Sequence, residues 1–506
     1  MRRSLAHLTP RFSRMVGIPL AMAVPVALLV LGMAETGLLI SALAMAGLAG
    51  ALLAGLAPTP ALCLQLLLLG LSPFFFGLDV GARGIFPFIS AEEVLFALIL
   101  PSVLLRAVTG RARTAAPSPG LLFAPLAAIL LLAFGFLLNA ATYVALRTFL
   151  ETVVLGYLLY LVFLLETDSE RAVLFTRVLA LVGVLLAAGG LVEFAFKYNP
   201  LIEYAAKNLP DYKQLFISPR LLQRLNAFYR PYVIFFHPSE AGTFVAMCVP
   251  FVYLCAKDMR NRVAAAALLL LPLAFLVVNF TRGVWFAMAV VALAHPRLRR
   301  WAVPLCLVGL SLLAAASAMF EGHPFFDRVL APRNLVMRFF YWGVAFRIFA
   351  DNMPAGIGYM NFKNVYTEHM GAVPMDIRSE VQTIKVADNI FLTTAAEQGL
   401  VGLAGLLWLL GYLVWRVRTG MRRLVLGGRA CDARFVQMAL ASMAIYVTAG
   451  LLADLHFFTK VTRLFFILAA MALALAEQGA SASGPGQGTP APPAAPARLP
   501  QGGATP

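Results

Sequence analysis

Apolar runs of about twenty residues recur along nearly the whole chain, each long enough to cross roughly 30 Å of hydrocarbon as a helix. They lie near 16–33, 38–56, 61–78, 92–105, 120–139, 149–166, 172–195, 232–256, 263–279, 282–295, 301–319, 390–415, 435–453 and 461–477. In lipid, backbone polar groups must be satisfied within the segment, so repeated spans of this length make a helical bundle. A closed β-barrel would instead show stretches of about ten residues alternating in polarity, and no such alternation occurs. Composition points the same way: 61% of the 506 residues are hydrophobic and 13% charged, with a mean hydropathy of +0.84, far from soluble usage. The predicted fold is an all-α polytopic membrane protein with about 12–14 transmembrane helices and a long outer loop containing short helices.

The net charge of +16 does not indicate nucleic acid, because the basic residues form short clusters between apolar segments rather than one face. Topology accounts for them. If the amino terminus is cytoplasmic, every second loop is cytoplasmic too. Those loops hold Arg106, Arg111 and Arg113, then Lys257, Arg260 and Arg262, then Arg297, Arg299 and Arg300, and six arginines between Arg416 and Arg434. That is the positive-inside pattern, with both termini cytoplasmic. The basic start and first apolar run are similar to a secretion signal, but with many spans following they read as a retained first helix. Cys63, Cys248, Cys255, Cys306 and Cys431 fall in spans or a basic loop, so neither a disulfide framework nor a spaced metal site is indicated.

Residues 1–477 thus read as one transmembrane bundle with two outer loops, about 196–231 and 320–388. The Ala, Gly, Pro and Ser of 478–506 cannot bury a core and read as a disordered cytoplasmic tail. Outer loops need no positive charge for topology, yet these carry Lys207, Lys213, Arg220, Arg224, Arg230, Arg328, Arg333, Arg338, Arg347, Lys363, Arg378 and Lys385. As a set they favour an anionic ligand, although each alone suits a solvated loop or a lipid headgroup. Arg282 is more telling, because Thr281-Arg282-Gly283 sets an arginine between two apolar runs, where charge is costly unless paired or used. Its planar fork suits phosphate, and Gly283 permits close backbone approach.

At these residues the chain resembles the O-antigen ligase and polymerase superfamily of membrane glycosyltransferases. Thr281-Arg282-Gly283 resembles that family's Ser-Arg-Gly element. Arg338 through Trp342, then Asp351 to Pro354, Gly356-Ile357-Gly358 and Asn361-Phe362 resemble its arginine, Trp, acidic-x-x-Pro and Gly-x-Gly passage. Asp388-Asn389 followed by Gly399-Leu400-Val401-Gly402 has the spacing of its His-Asn signature. A weaker likeness runs from Arg224 through His237-Pro238-Ser239-Glu240, and together the blocks cover about 220–475.

The resemblance implies a bacterial inner-membrane bundle with a large periplasmic loop over a cavity, a polyprenyl-diphosphate-linked glycan as donor, a glycan acceptor, and no metal or other cofactor. Membrane lipids and other polysaccharide-assembly proteins are the further partners it implies, without nucleic acid. It also implies that Arg282, Arg338 and, more weakly, Arg224 hold the diphosphate. Thr281, Gly283, Trp342, Asn389, Glu397, His237 and Glu240 are the expected supporting residues.

Family ligases place a histidine, the proposed base, where this chain has Asp388. That difference favours a polymerase of O-antigen, capsule or exopolysaccharide over a ligase acting on lipid A core. A carboxylate serves as base if burial lifts its pKa, while fixed arginines stabilise the leaving diphosphate. Asp388 suits that role, the capping of the helix that follows it or pairing with Arg378 or Lys385, and His369, His323 and His237 are alternative bases, with His369 first. A flippase of lipid-linked sugars is the rival class, which would show two similar halves with interrupted helices. No such repeat is visible.

Overall fold

The computed structural model describes residues 58–72, 77–78, 89–109, 117–138, 143–201, 229–235, 237–295, 299–300, 304, 311, 332–372, 387–455 and 458–482. Arg224, His323, the first two expected spans, most of the span near 301–319 and the tail beyond 482 lie outside them.

Among the described residues, α1 (Pro58–Leu71) is followed by β1 (Gly77–Leu78), β2 (Ile89–Ser90) and α2 (Ala91–Val108). The two strands are a two-residue antiparallel pair and the only sheet among these residues. Ser90 and Glu93 form a reciprocal capping box that starts α2. Next come α3 (Pro119–Leu138), α4 (Tyr143–Phe149), a π-turn (Leu150–Val154), α5 (Leu155–Glu166) and α6 (Ser169–Phe196). The central region holds α7 (Pro238–Lys257), α8 (Arg262–Asn279), α9 (Arg282–Ala294), α10 (Pro332–Asp351) and α11 (Phe362–Val365) with a 3-10 turn (Tyr366–Ala372). The chain closes with α12 (Ile390–Leu426), α13 (Ala430–Gly450) and α14 (Thr459–Ala482). Among the described residues, six helical stretches are long and apolar enough to cross a membrane, and four shorter apolar helices accompany them. The chain is an all-α, multi-pass membrane protein.

Every residue of α14 from Val461 to Ala476 is buried, as expected of a helix that is apolar on all sides and sits at the centre of a bundle. The arginine-rich ends of the helices meet at one end of the bundle: Arg106 pairs with Glu166 at 3.1 Å, Arg416 with Glu477 at 2.8 Å, and Arg429 donates to Ser169 at 2.9 Å. The opposite end carries Arg282, Asp388 and the α13–α14 connection. There Arg463 binds Glu92 at 3.0 Å and Glu93 at 2.7 Å, and donates to the Glu151 carbonyl of the π-turn at 2.9 Å.

Element boundaries depart from hydropathy for identifiable reasons. The span expected from 232 begins at Pro238, because Tyr232 and Val233 give their N–H groups to the Glu193 carboxylate and turn the chain first. Helix α12 runs on to Leu426 because Arg416, Arg418, Arg422 and Arg423 are good helix formers beyond the apolar stretch. It also breaks at Gly399, which sequence did not announce.

Candidate active site

The break at Gly399 is made by two of the sequence blocks meeting. Gly399 has φ +67° and Gly356 φ +75°, and a Cβ on Gly399 would lie 1.9 Å from the Pro354 carbonyl oxygen. Only glycine fits that approach. Ile357 and Gly358 donate their N–H groups to the Ala396 and Glu397 carbonyls at 3.1 and 2.7 Å, satisfying groups the broken helix leaves open. The buried Glu397 side chain accepts the Phe362 N–H at 3.2 Å, so it fastens the loop after α10 to α12.

That junction sets α10 against the start of α12 and brings Arg338 to Asp388, with Nη2 3.5 Å from Oδ2. Nη1 of the same guanidinium donates to the Leu452 carbonyl at 3.1 Å. Asp388 stands in the left-handed region at φ +51°, which Asp tolerates better than most residues. Asn389, not Asp388, caps α12: its Oδ1 accepts the N–H groups of Phe391 and Leu392 at 2.9 and 3.1 Å. The Asp388 carboxylate, about one-third exposed, is thus not the cap of α12 and faces Arg338 instead. Burial raises its pKa, opposed by the charges of Arg338 and then Arg282.

Arg282 opens α9 and is exposed, with its charge acting on Asp388. Its place is fixed from behind. Arg230 donates from Nε to the Asn279 carbonyl and from Nη2 to Thr281 Oγ1, both at 2.9 Å, while Thr281 Oγ1 also bonds the Asn279 side chain. The Asn279 amide in turn holds the Pro231 and Pro238 carbonyls. A Cβ on Gly283 would come within 3.2 Å of Leu452 Cβ, so glycine allows α9 to start against the same loop that receives Arg338.

Asp454 completes the cluster and was missed from sequence. Its carboxylate accepts the N–H of Asp388 at 3.2 Å, the N–H of Asn389 at 2.9 Å and the Thr393 hydroxyl at 2.6 Å. Burial, then the neighbouring Asp388 charge, pushes its pKa up to about 7. The available signal was an acid in the short connection between two apolar runs, the same kind that made Arg282 conspicuous.

The other expected residues fall elsewhere. His369 lies 3.5 Å from Asp351 and 3.2 Å from the Val365 carbonyl, at the far end of α10. Thirteen residues separate Asp351 from Arg338, about 20 Å of helix. His369 is thus not brought to the Asp388 cluster. His237 caps α7 through Nδ1, stacks on Phe458 at 5.7 Å, and is pushed down to about 3 by burial and then by the Arg230 charge, which suits a neutral structural imidazole. Glu240 is buried in the first turn of α7 and faces Lys460 electrostatically. Trp342 packs edge-on against Phe339 at 5.5 Å on α10, one turn beyond Arg338. Among the described residues no group of three His, Cys, Asp or Glu side chains gathers to hold a metal.

Residues 241–407, which contain Arg282, Arg338 and Asp388, match the family model described as O-antigen ligase. The likeness to the O-antigen ligase family is thus confined to this segment, about a third of the chain. A 346-residue stretch is also 23% identical to the teichuronic acid biosynthesis protein TuaE of Bacillus subtilis (strain 168), covering 63% of this chain. The chain spans 63% of the length of that relative. The matched segment supplies both arginines and Asp388, whereas Asp454 and Arg230, which fix their geometry, lie on either side of it.

Proposed function

We propose that the chain is an inverting, metal-independent glycosyltransferase of the bacterial inner membrane that polymerises polyprenyl-diphosphate-linked oligosaccharide repeat units, with the Asp388 end in the periplasm and both termini cytoplasmic. The observation that carries this reading is the convergence of Arg282, Arg338 and Asp388 at one end of a membrane bundle. Two fixed cations beside one carboxylate suit a reaction in which a diphosphate leaves and a hydroxyl must lose its proton. The acceptor hydroxyl oxygen attacks the anomeric carbon and its proton passes to Asp388. The bond from that carbon to the phosphate oxygen breaks, and its electron pair leaves with the diphosphate held by Arg282 and Arg338.

Asp388 at the histidine position supports polymerisation, whereas the description of the matching family model favours the second reading, a ligase moving glycan to lipid A core or another acceptor. Lipid-linked and surface glycan from a deletion strain separates them. Single repeat units identify a lost polymerase and long unattached chains a lost ligase. Unchanged glycan overturns both.

A further inference from the structure

Helix α10 has two apolar faces, and the fold uses one. Met337, Tyr341, Val344, Ala345 and Ile348 are buried in a cluster with Ala387, Ala396 and Tyr366. On the other side, Val336, Phe339 and Phe346 are 47%, 58% and 60% exposed, at spacings that keep them in one stripe. Gly343 lies in the middle of this stripe, and a Cβ there would meet nothing within 4 Å. Trp342 and Phe349, each partly buried and in ring contact with Phe339 and Phe346, flank it.

An exposed aromatic stripe on a helix end-on to water would be a liability, and soluble surfaces rarely keep one uncovered. Here the surroundings differ. Helix α10 is not among those apolar enough to cross a membrane, yet Arg338 ties it to Leu452 and Asp388 at the outer ends of α13 and α12. It therefore sits where the spans leave the hydrocarbon. Arg347 is exposed at the edge of the stripe, a charge complementary to phosphate headgroups. Aromatic rings bordered by a cation are what the headgroup–acyl boundary selects.

We propose that the Val336–Phe339–Phe346 face of α10 is inserted into the leaflet at the Asp388 end, so that bilayer lipid covers it. The inference goes beyond the proposed reaction and does not depend on it. Membrane contact then holds the helix that carries Arg338.

Single cysteines replacing Phe339, Phe346 and, for comparison, Asp351 are introduced into a chain whose five native cysteines are replaced by alanine. Each is nitroxide-labelled in liposomes of phosphatidylethanolamine and phosphatidylglycerol. Labels at 339 and 346 are expected to collide with oxygen several-fold more, relative to a water-soluble nickel chelate, than the label at 351, at depths of about 5–10 Å below the phosphates. If either aromatic replacement fails to fold, Gly343→Cys reads the same stripe without touching a neighbour. Equal nickel accessibility at all sites overturns the proposal in favour of water. An immobilised label shielded from both reagents overturns it in favour of a protein partner or a second copy.

Discussion

Arg338 joins two elements at once, reaching Asp388 Oδ2 at 3.5 Å and the Leu452 carbonyl at 3.1 Å. At 22% and 35% side-chain exposure the pair with Asp388 adds at most about 1 kcal/mol to stability, so its worth must be sought in what the guanidinium does for an anion.

Arg338→Lys and Arg282→Lys should each reduce polymer at least about tenfold, because lysine keeps the charge but loses the fork that matches phosphate. Abundance in the membrane should stay near normal. Immunoblots and glycan chain-length profiles test this, and normal chains from both variants would assign the arginines to packing.

Asp388→Asn should lower polymer by about a hundredfold, the scale of a lost general base. Thermal stability should hardly change, because the helix cap belongs to Asn389. Asp388→His is expected to retain part of the activity. Full activity in the Asn variant would move the base elsewhere.

Asp454 is a pH-dependent brace. Its pKa is raised from 3.8 to about 7, so between these values the folded chain holds a proton that the unfolded chain has released. That contribution is complete below about pH 4 and fades as pH rises through 7. The melting temperature in detergent should therefore fall from pH 5 to pH 8 by about 2–4 °C per kcal/mol involved. Asp454→Asn should show a smaller fall, and an identical pH dependence would exclude this group as its source.

Gly399→Ala forces a side chain into a glycine-only backbone region and onto the Pro354 carbonyl. The backbone term alone costs about 1–3 kcal/mol, so accumulation should drop sharply. Gly411→Ala, where nothing lies within 4 Å, serves as the neutral comparison on the same helix.

Reporters fused near Met370 should be active as periplasmic fusions, and those near Met259 and Leu424 as cytoplasmic ones. Met370 is buried in one cluster with Ala387, just before the start of α12, whereas Leu424 lies near the other end of that helix. A cytoplasmic signal at Met370 would overturn the proposed periplasmic position of the site.

Spans were legible because lipid imposes a length and polarity on each segment that shows in the composition of single stretches, as in 169–196 or 262–279. Arg282 and Asp388 were legible as charges at the ends of apolar runs, and as blocks with family spacing. The break at Gly399 was not, since it requires Pro354 to arrive from 45 residues earlier in the chain. Asp454 escaped notice because its role consists of accepting backbone N–H groups, and those donors carry no sequence signature. His369 was attractive by its place in the loop, whereas its distance from Asp388 is set by the length of α10.

The dependence of Asp388 on Asp454 bears on how such a chain could be exchanged or trimmed. A cassette cut to residues 241–407 would carry both arginines and Asp388, yet would lack the carboxylate that sets the turn. It would equally lack α14, whose Lys460 and Arg463 bond back to Ser72, Glu92 and Glu93. Grafting the recognisable segment onto another bundle should therefore transplant the reactive groups without their alignment, and swaps between relatives should succeed only with crossovers before α1 and after α14.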